Sequence, residues 1–217
     1  SSIALTNGAA GTTTTNSLTY GVSLSTGTAT FTLSGMTLET ADLQTLVDNL
    51  TYDNTSEDPG SSSRVVTITS VTDSGSNTDS NDNVAALSIA STVTMTEVND
   101  EPTLTATGSD PAFTENGAAV GLFSSAAAST VESGQTITDL VFTVTNVAGT
   151  GSTELIGIDG SSIALTNGAS GNTTTSTLAY SVSLSAGTAT FTLSGMTLST
   201  ANLQTLVDNL TYDNTSD

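Results

Sequence analysis

The sequence predicts an all-β fold, in which β-sandwich domains follow one another in tandem and each carries one short crossover helix. Three observations support this prediction. Segments in which apolar and polar residues alternate dominate the chain, as expected for strands with one buried face. A single kind of segment follows helical spacing instead. A long internal duplication indicates that the same domain recurs along the chain.

The duplication relates residues 1–57 to residues 161–217 without a gap, and 47 of the 57 positions are identical. The offset of 160 residues is much longer than the roughly 20–50 residues of a solenoid repeat, so we expect separate domains along a string. We place the repeat boundary after Asp100. Residues 1–100 are then the C-terminal part of one repeat of about 160 residues, and residues 101–217 are the N-terminal part of the next.

This division predicts two incomplete sandwiches, because neither part contains a whole repeat. An incomplete sandwich exposes apolar faces and strand edges. The expected partners are therefore neighbouring repeats of the same, longer chain, or identical chains joined head to tail by strand addition. We favour the longer chain, and we note that the sequence does not begin with Met.

The clearest strand pair is "GVSLSTGTATFTLSG", residues 21–35. Val22 and Leu24 precede a Thr-Gly pair, and Phe31 and Leu33 follow it with the same alternation. This pattern predicts a hairpin with one buried face. Further strands are predicted in "RVVTITSV", "AALSIASTVTMTEV" and "QTITDLVFTVTNV", which begin at residues 64, 85 and 135.

The exception is "ETADLQTLVDNL", which begins at residue 39. Its apolar residues lie at positions i, i+3, i+4 and i+7, namely Leu43, Leu46, Val47 and Leu50. This spacing predicts a short amphipathic helix over residues 41–50 and again over residues 201–210. Thr40 is the expected N-cap. We favour a crossover helix that closes one edge of the sandwich, and a helix that binds a partner is the alternative.

Composition restricts the function. One basic side chain, Arg64, stands against 21 acidic ones, and the net charge is −20. Nucleic acid and anionic membrane surfaces are therefore excluded as partners, and no apolar run is long enough for membrane insertion. Without Cys, His or Lys, the common catalytic triads, Schiff-base lysines and zinc sites are also excluded. A glycosidase needs only two carboxylates, but no pair stands out, and we predict that the chain is not an enzyme.

An acidic segment lies at the predicted boundary, in "TEVNDEP", residues 96–102. It resembles the inter-domain linker of cadherins and bacterial cadherin-like repeats, whose pattern is roughly Asp-x-Asn-Asp-x-x-Pro. "FTENGAAVG", from residue 113, resembles the early Glu-Asn segment of these domains, and "VTDSG", from residue 71, resembles their Asp-x-Gly loop. The resemblance covers nearly the whole chain as a pattern. It implies Ig-like or cadherin-like sandwiches of the kind found in giant bacterial surface adhesins.

The resemblance also implies that Ca²⁺ is the cofactor. Calcium binds about six to eight oxygen atoms from carboxylates, amides and carbonyls. The candidate ligands are Glu97, Asn99, Asp100 and Glu101 in the linker, and Asp73, Glu115 and Asp139 elsewhere, with Asp159 as an alternative to Asp139. Asp58, Asp79 and Asp82 are weaker candidates. An ion shared between two domains would stiffen the joint, whereas without an ion the same acids would only solvate a hinge.

These observations predict a structural repeat of a long secreted protein at the cell surface. It would form a calcium-stiffened rod or fibre for adhesion or for an extracellular matrix, and surface glycans or other cells would be its outer partners. The alternative is a calcium-dependent carbohydrate-binding module. Five Phe, four Tyr and no Trp offer few platforms for stacking sugars, which argues against that alternative.

Overall fold

The computed structural model describes residues 1–76, 78 and 82–216. The fold is mostly β, with 42% of residues in strands and two short helices, which confirms the all-β prediction. The chain divides into two compact units, Ser1–Asp53 and Asn54–Asp217. The repeat boundary that we place after Asp100 stays a prediction.

The unit Ser1–Asp53 contains three antiparallel strands and one helix. They are β1 (Ala10–Thr12), β2 (Thr19–Ser25), β3 (Thr28–Ser34) and α1 (Thr40–Asp48), with sheet order β1-β2-β3. The predicted hairpin is confirmed, because β2 and β3 pair from Ser25↔Thr28 onwards. Thr26 and Gly27 turn the chain with φ of 48° and 77°. Two positive φ values are typical of the type I′ turn that suits the twist of a hairpin.

In the unit Asn54–Asp217, the described residues form two four-stranded sheets and two strand pairs, all antiparallel. Its elements are β4 (Arg64–Thr72), β5 (Val84–Val93), β6 (Thr103–Gly108), β7 (Val120–Gly121), β8 (Phe123–Ser129), β9 (Leu140–Val144), β10 (Glu154–Ile158), β11 (Ser161–Ala164), β12 (Ser170–Asn172), β13 (Ala179–Ser185), β14 (Thr188–Ser194), α2 (Thr200–Asp208) and β15 (Thr211–Asn214). The four-stranded sheets have the orders β11-β10-β15-β7 and β12-β13-β14-β9. The strand pairs are β4-β5 and β6-β8.

The hydrophobic core of this unit draws on both four-stranded sheets and on α2. Alternate residues of β10 and of β14 are buried, because successive side chains of a strand point to opposite faces. Ile156 and Phe191 are fully buried examples from the two sheets. The ring of Phe142 on β9 stacks on that of Phe191, with 4.9 Å between centroids.

The two copies of the duplicated sequence form the same local elements. Strands β1 to β3 and helix α1 recur exactly 160 residues later as β12 to β14 and α2. Their surroundings differ. Phe31 is 38% exposed whereas its counterpart Phe191 is fully buried, and Leu50 is 53% exposed whereas Leu210 is 2% exposed. The first copy therefore exposes apolar side chains whose counterparts the second copy buries, although Leu18 and Val22 are buried in the first copy. The prediction of two incomplete repeats stays a prediction.

Helix α2 packs into the hydrophobic core. It buries Leu203, Leu206 and Val207, and Gln204 Nε2 donates to Ala128 O of β8 at 3.4 Å. Helix α1 has no buried residue. The predicted N-cap Thr40 is wrong, because Thr40 is already helical and Glu39 is the N-cap of α1. In α2 the corresponding Ser199 is the N-cap, and its hydroxyl accepts a hydrogen bond from Asn202 N at 3.2 Å.

A buried carboxylate ties β10 to β15. Glu154 Oε1 accepts from Ala148 N at 2.5 Å, and Glu154 Oε2 accepts from the Tyr212 hydroxyl at 2.9 Å. Burial, then this hydrogen bond and the negative charge of Glu154, raise the pKa of Tyr212 from 10.0 to about 12. The tyrosinate is disfavoured because it would lie beside a carboxylate in a partly buried site.

The first prediction compares the same substitution in the two copies. Phe191→Ala should destabilise the unit Asn54–Asp217 by about 3–5 kcal/mol, because it leaves a cavity in a packed core. Phe31→Ala should cost less than about 1 kcal/mol, because the ring is already partly exposed. Urea unfolding followed by NMR signals of each copy would measure both. Equal losses at the two positions would contradict the burial difference.

The second prediction concerns Tyr212. Glu154→Gln should lower the pKa of Tyr212 from about 12 towards the ordinary 10.0, as measured by tyrosinate absorbance against pH. Because the folded pKa is raised, the stability that Tyr212 contributes is fully present below pH 10 and is lost as pH rises through about 12. Tyr212→Phe removes the titration of Tyr212 and so shows which part of the tyrosinate absorbance change belongs to this residue. An unchanged titration in Glu154→Gln would show that burial alone raises the pKa.

Candidate metal site

The acidic segment, residues 97–101, lies between β5 and β6 and belongs to neither strand. Glu97, Asn99 and Glu101 are exposed, and Asp100 is half-buried. Asn99 Nδ2 donates to the carbonyl oxygen of Asp100 at 3.1 Å. The segment is thus a short connection whose carboxylates mostly face outwards.

Asp100 makes the contact that anchors the segment. Its backbone N–H donates to Glu132 Oε1 at 2.5 Å. Glu132 is only 9% exposed, and its other oxygen, Oε2, is buried without a hydrogen-bond partner among the described residues. A buried carboxylate oxygen without a partner is costly, since it has lost water and gained no donor. A cation or a water molecule would remove that cost.

The turn that carries Glu132 has unusual backbone geometry. Val131 has φ of 64°, and Glu132 N donates to Thr130 O at 2.8 Å across it. An i→i+2 hydrogen bond with positive φ defines a strained γ-turn, and a β-branched residue rarely adopts it. Thr130 Oγ1 also donates to Glu132 O at 3.2 Å. Strain of this kind is often found at functional sites, because other contacts must hold the turn in place.

Residues next to this turn also form hydrogen bonds with two further polar side chains. Gln135 Nε2 donates to Asn99 Oδ1 at 2.7 Å, and Ser133 N donates to Asp58 Oδ2 at 3.0 Å. The only basic side chain of the sequence, Arg64, donates to the carbonyl of Pro59 at 2.8 Å and also to that of Ser62. We call residues 130–135 together with Asp58, Asn99 and Asp100 the linker cluster.

A cavity of about 350 Å³ lies beside the linker cluster. Asn99, Asp100, Gln135 and Asp139 contribute to its wall. Asp139 is exposed and directly precedes β9. The structure therefore brings three of the predicted ligands, Asn99, Asp100 and Asp139, to one place. Among the described residues, no group of three or more acidic side chains is close enough to hold a metal ion.

Asp73 lies elsewhere. Strand β4 runs from Arg64, opposite Val93, to Thr72, opposite Val84. Asp73 follows Thr72 at one end of this strand pair, whereas the acidic segment follows Val93 at the other end. Nine residues of strand, at about 3.3 Å per residue, separate the two ends by about 25–30 Å. Asp73 Oδ1 instead accepts from Gly75 N at 2.7 Å in a local turn.

Two of the remaining candidates, Glu115 and Asp82, lie in segments that make local contacts. Glu115 is exposed in a turn where Gly117 N donates to Thr114 O at 2.8 Å. Asp82 Oδ1 accepts from Val84 N at 2.9 Å at the start of β5. Asp79 lies outside the described residues.

Asp159, the alternative to Asp139, holds a loop together. One oxygen accepts from Thr173 Oγ1 at 2.5 Å and from Ser176 N at 2.7 Å, and the other accepts from Ser176 Oγ at 2.9 Å. Burial alone would raise the pKa of Asp159, but the hydrogen bonds from Thr173 and Ser176 outweigh it and lower the pKa below 3.8. These bonds favour a structural role for Asp159.

Sequence reasoning missed Glu132 and Gln135 and ranked Asp58 as a weaker candidate. The local sequence around Glu132 shows only that Ser-Gly follows it, which predicts a turn but does not identify a ligand. Its contact with Asp100 joins residues 32 positions apart, and no local pattern reports such a contact.

No protein-family model, curated protein or solved structure matches the chain. In the described part of the chain, neither helix is long and apolar enough to cross a membrane.

The third prediction follows from the lowered pKa of Asp159. Its contribution to stability should be present above pH 3.8 and should be lost as pH falls through its lower, folded-state pKa. The destabilisation caused by Asp159→Asn should therefore be largest near neutral pH and shrink in acid, as measured by urea unfolding at several pH values.

The matched control is Asp42→Asn, because the second copy already carries Asn202 at the corresponding position. This change should have little effect at any pH in the same range. A loss in Asp159→Asn that does not vary with pH would mean that the hydrogen-bond geometry, and not the charge, is what matters.

Proposed function

We propose that the chain is a structural repeat of a long extracellular protein, in which calcium at the linker cluster stiffens a rod used for adhesion or for a matrix. The observation that carries the proposal is the contact between Asp100 and the buried Glu132. It anchors the acidic connection to a turn that has one unsatisfied carboxylate oxygen. The resemblance to cadherin-like linkers supports calcium as the ion.

Each repeat is proposed to be a β-sandwich. Two four-stranded antiparallel sheets contribute alternate residues to one hydrophobic core, and α2 adds Leu203, Leu206 and Val207 to it. This arrangement fits the layered packing of Ig-like and cadherin-like domains. The 160-residue offset between matching elements supports a tandem array of such domains.

Charge supports the choice of a cation. The chain has a net charge of −20, and its one basic side chain donates to backbone carbonyls next to the linker cluster. The Asp100 backbone donates to the buried carboxylate of Glu132, and the neighbouring Ser133 N donates to Asp58, so three acidic residues contribute to the linker cluster. A calcium ion would add positive charge there and bind carboxylate and amide oxygens together.

Stiffening follows from the shortness of the connection. Residues 94–102 contain no strand or helix, so only contacts such as Asp100 with Glu132 can hold them. Within a rod, the angle between successive repeats would depend on these contacts. Calcium would then control the length of the rod and leave the fold of each repeat unchanged.

The fourth prediction tests calcium at the linker cluster. Glu132→Gln should weaken calcium binding, measured by isothermal titration calorimetry, by roughly 10–100-fold, the change typical when a supporting group of a metal site is lost. Asp100→Asn should weaken it as well. The control is Glu39→Gln, which removes the same charge from an exposed position before α1. Equal weakening in the control would mean that calcium binds only as a diffuse counterion.

The proposed stiffening by calcium is measured separately, on a chain of several repeats. Chelation should make that chain shorter in small-angle scattering and easier to cut within residues 94–102, with circular dichroism nearly unchanged. Asp100→Ala in each linker should have the same effect as chelation. If the chain has the same length with and without calcium, the linker is only a solvated hinge and the stiffening proposal is wrong.

A further inference from the structure

The first copy presents an apolar surface that its own unit does not cover. The exposed residues are Leu5, Leu24, Phe31, Val47 and Leu50. Phe31 and Leu24 lie on the hairpin of β2 and β3, and Val47 lies on α1. We call these five residues the acceptor face. Their counterparts in the second copy, Leu165, Leu184, Phe191, Val207 and Leu210, all belong to or pack against one core cluster, and exposed apolar surface of this kind marks an interaction site.

The second copy shows what covers the same residues. Strand β9 pairs along β14, placing Phe142 opposite Phe191 and Leu140 opposite Leu193. Leu122 N donates to Leu210 O at 2.9 Å, next to the pairing of β7 with β15. Strand β10 contributes two buried isoleucines to the same core. All of these covering groups come from residues 101–160, which we call the donor segment.

The acceptor face is already formed in the first copy. The Tyr20 and Phe31 rings stack at 5.9 Å and 15°, and the Tyr180 and Phe191 rings stack at 5.9 Å and 18°. The five face residues are identical in the two copies, and the ten differences between the copies fall at other positions. In the unit Ser1–Asp53, β3 is an edge strand, at the place where β9 joins β14 in the second copy.

We propose that the acceptor face binds a further copy of the donor segment, supplied by the repeat that comes before it in a longer array. Residues 101–160 already pair with the second copy, through β9 with β14 and β7 with β15, so they are not free to cover the acceptor face as well. The inference rests on the tandem array of the proposed function but does not involve calcium.

The test is an extended chain in which a second copy of residues 101–160 directly precedes Ser1. Its new junction repeats the natural one, since Gly160 is followed by Ser-Ser-Ile in both places. Amide hydrogen exchange of residues 28–34 should slow by about 100-fold or more and approach that of residues 188–194, because the segment becomes part of a closed core. Binding of an apolar dye should fall at the same time. Both are measured with a calcium chelator present.

The matched control carries Phe142→Asp only in the added donor segment, and a milder variant carries Phe142→Ala there. Residues 28–34 should exchange as fast in the first variant as in the original chain, and at an intermediate rate in the second. The native second copy serves as an internal standard in every sample.

Two results would overturn the proposal. In one, residues 28–34 stay unprotected in the extended chain. In the other, the original chain protects them by itself as its concentration rises, which would make a second copy of the chain the partner. Neither result bears on calcium binding at Glu132, so this inference and the calcium proposal fail separately.

Discussion

The pairing of β9 with β14 is the interaction on which the rest of the larger unit depends. It places Phe142 against Phe191 and gives β14 a neighbour on each side, so the hairpin becomes the middle of a four-stranded sheet. Fully burying one large apolar side chain stabilises a fold by about 1.5–3 kcal/mol, and this pairing buries several. The first copy has nearly the same hairpin and lacks such a neighbour within its unit, and there Leu24 and Phe31 are exposed although Val22 is buried.

Local sequence was enough to predict the elements that depend on local interactions. The hairpin and the helix that follows it form in both copies, whether buried or exposed, although the turn is Thr-Gly in the first copy and Ala-Gly in the second. Strand β15 is different, because residues 51–54 have the same sequence, Thr-Tyr-Asp-Asn, and form no strand. Thr211–Asn214 is a strand because β10 and β7 pair with it. Its conformation is thus decided by distant residues, which no periodicity in those four positions could reveal.

In the candidate site, too, some residues could be predicted from the local sequence and others could not. The density of acids near Asp100 was evident from the sequence, and the structure does place Asn99, Asp100 and Asp139 around one cavity. Glu132 could not be found from its neighbours, because its contact with Asp100 spans 32 positions and depends on a turn in which Val131 has an unfavourable φ. Asp73 was selected from a short motif, and the register of β4 with β5 places it at the far end of that strand pair.

The two buried glutamates, Glu132 and Glu154, differ in the hydrogen-bond donors that reach their carboxylate oxygens. Glu154 has a donor for each oxygen, Ala148 N for one and the Tyr212 hydroxyl for the other, as a purely structural buried carboxylate requires. Among the described residues, Glu132 has a donor for one oxygen only. It also lies in a turn in which Val131 has a positive φ and Ser133, the residue after Glu132, donates its N–H to Asp58. Stability alone would favour a neutral or apolar residue at this position, and the calcium ion that we propose would give the second oxygen a partner.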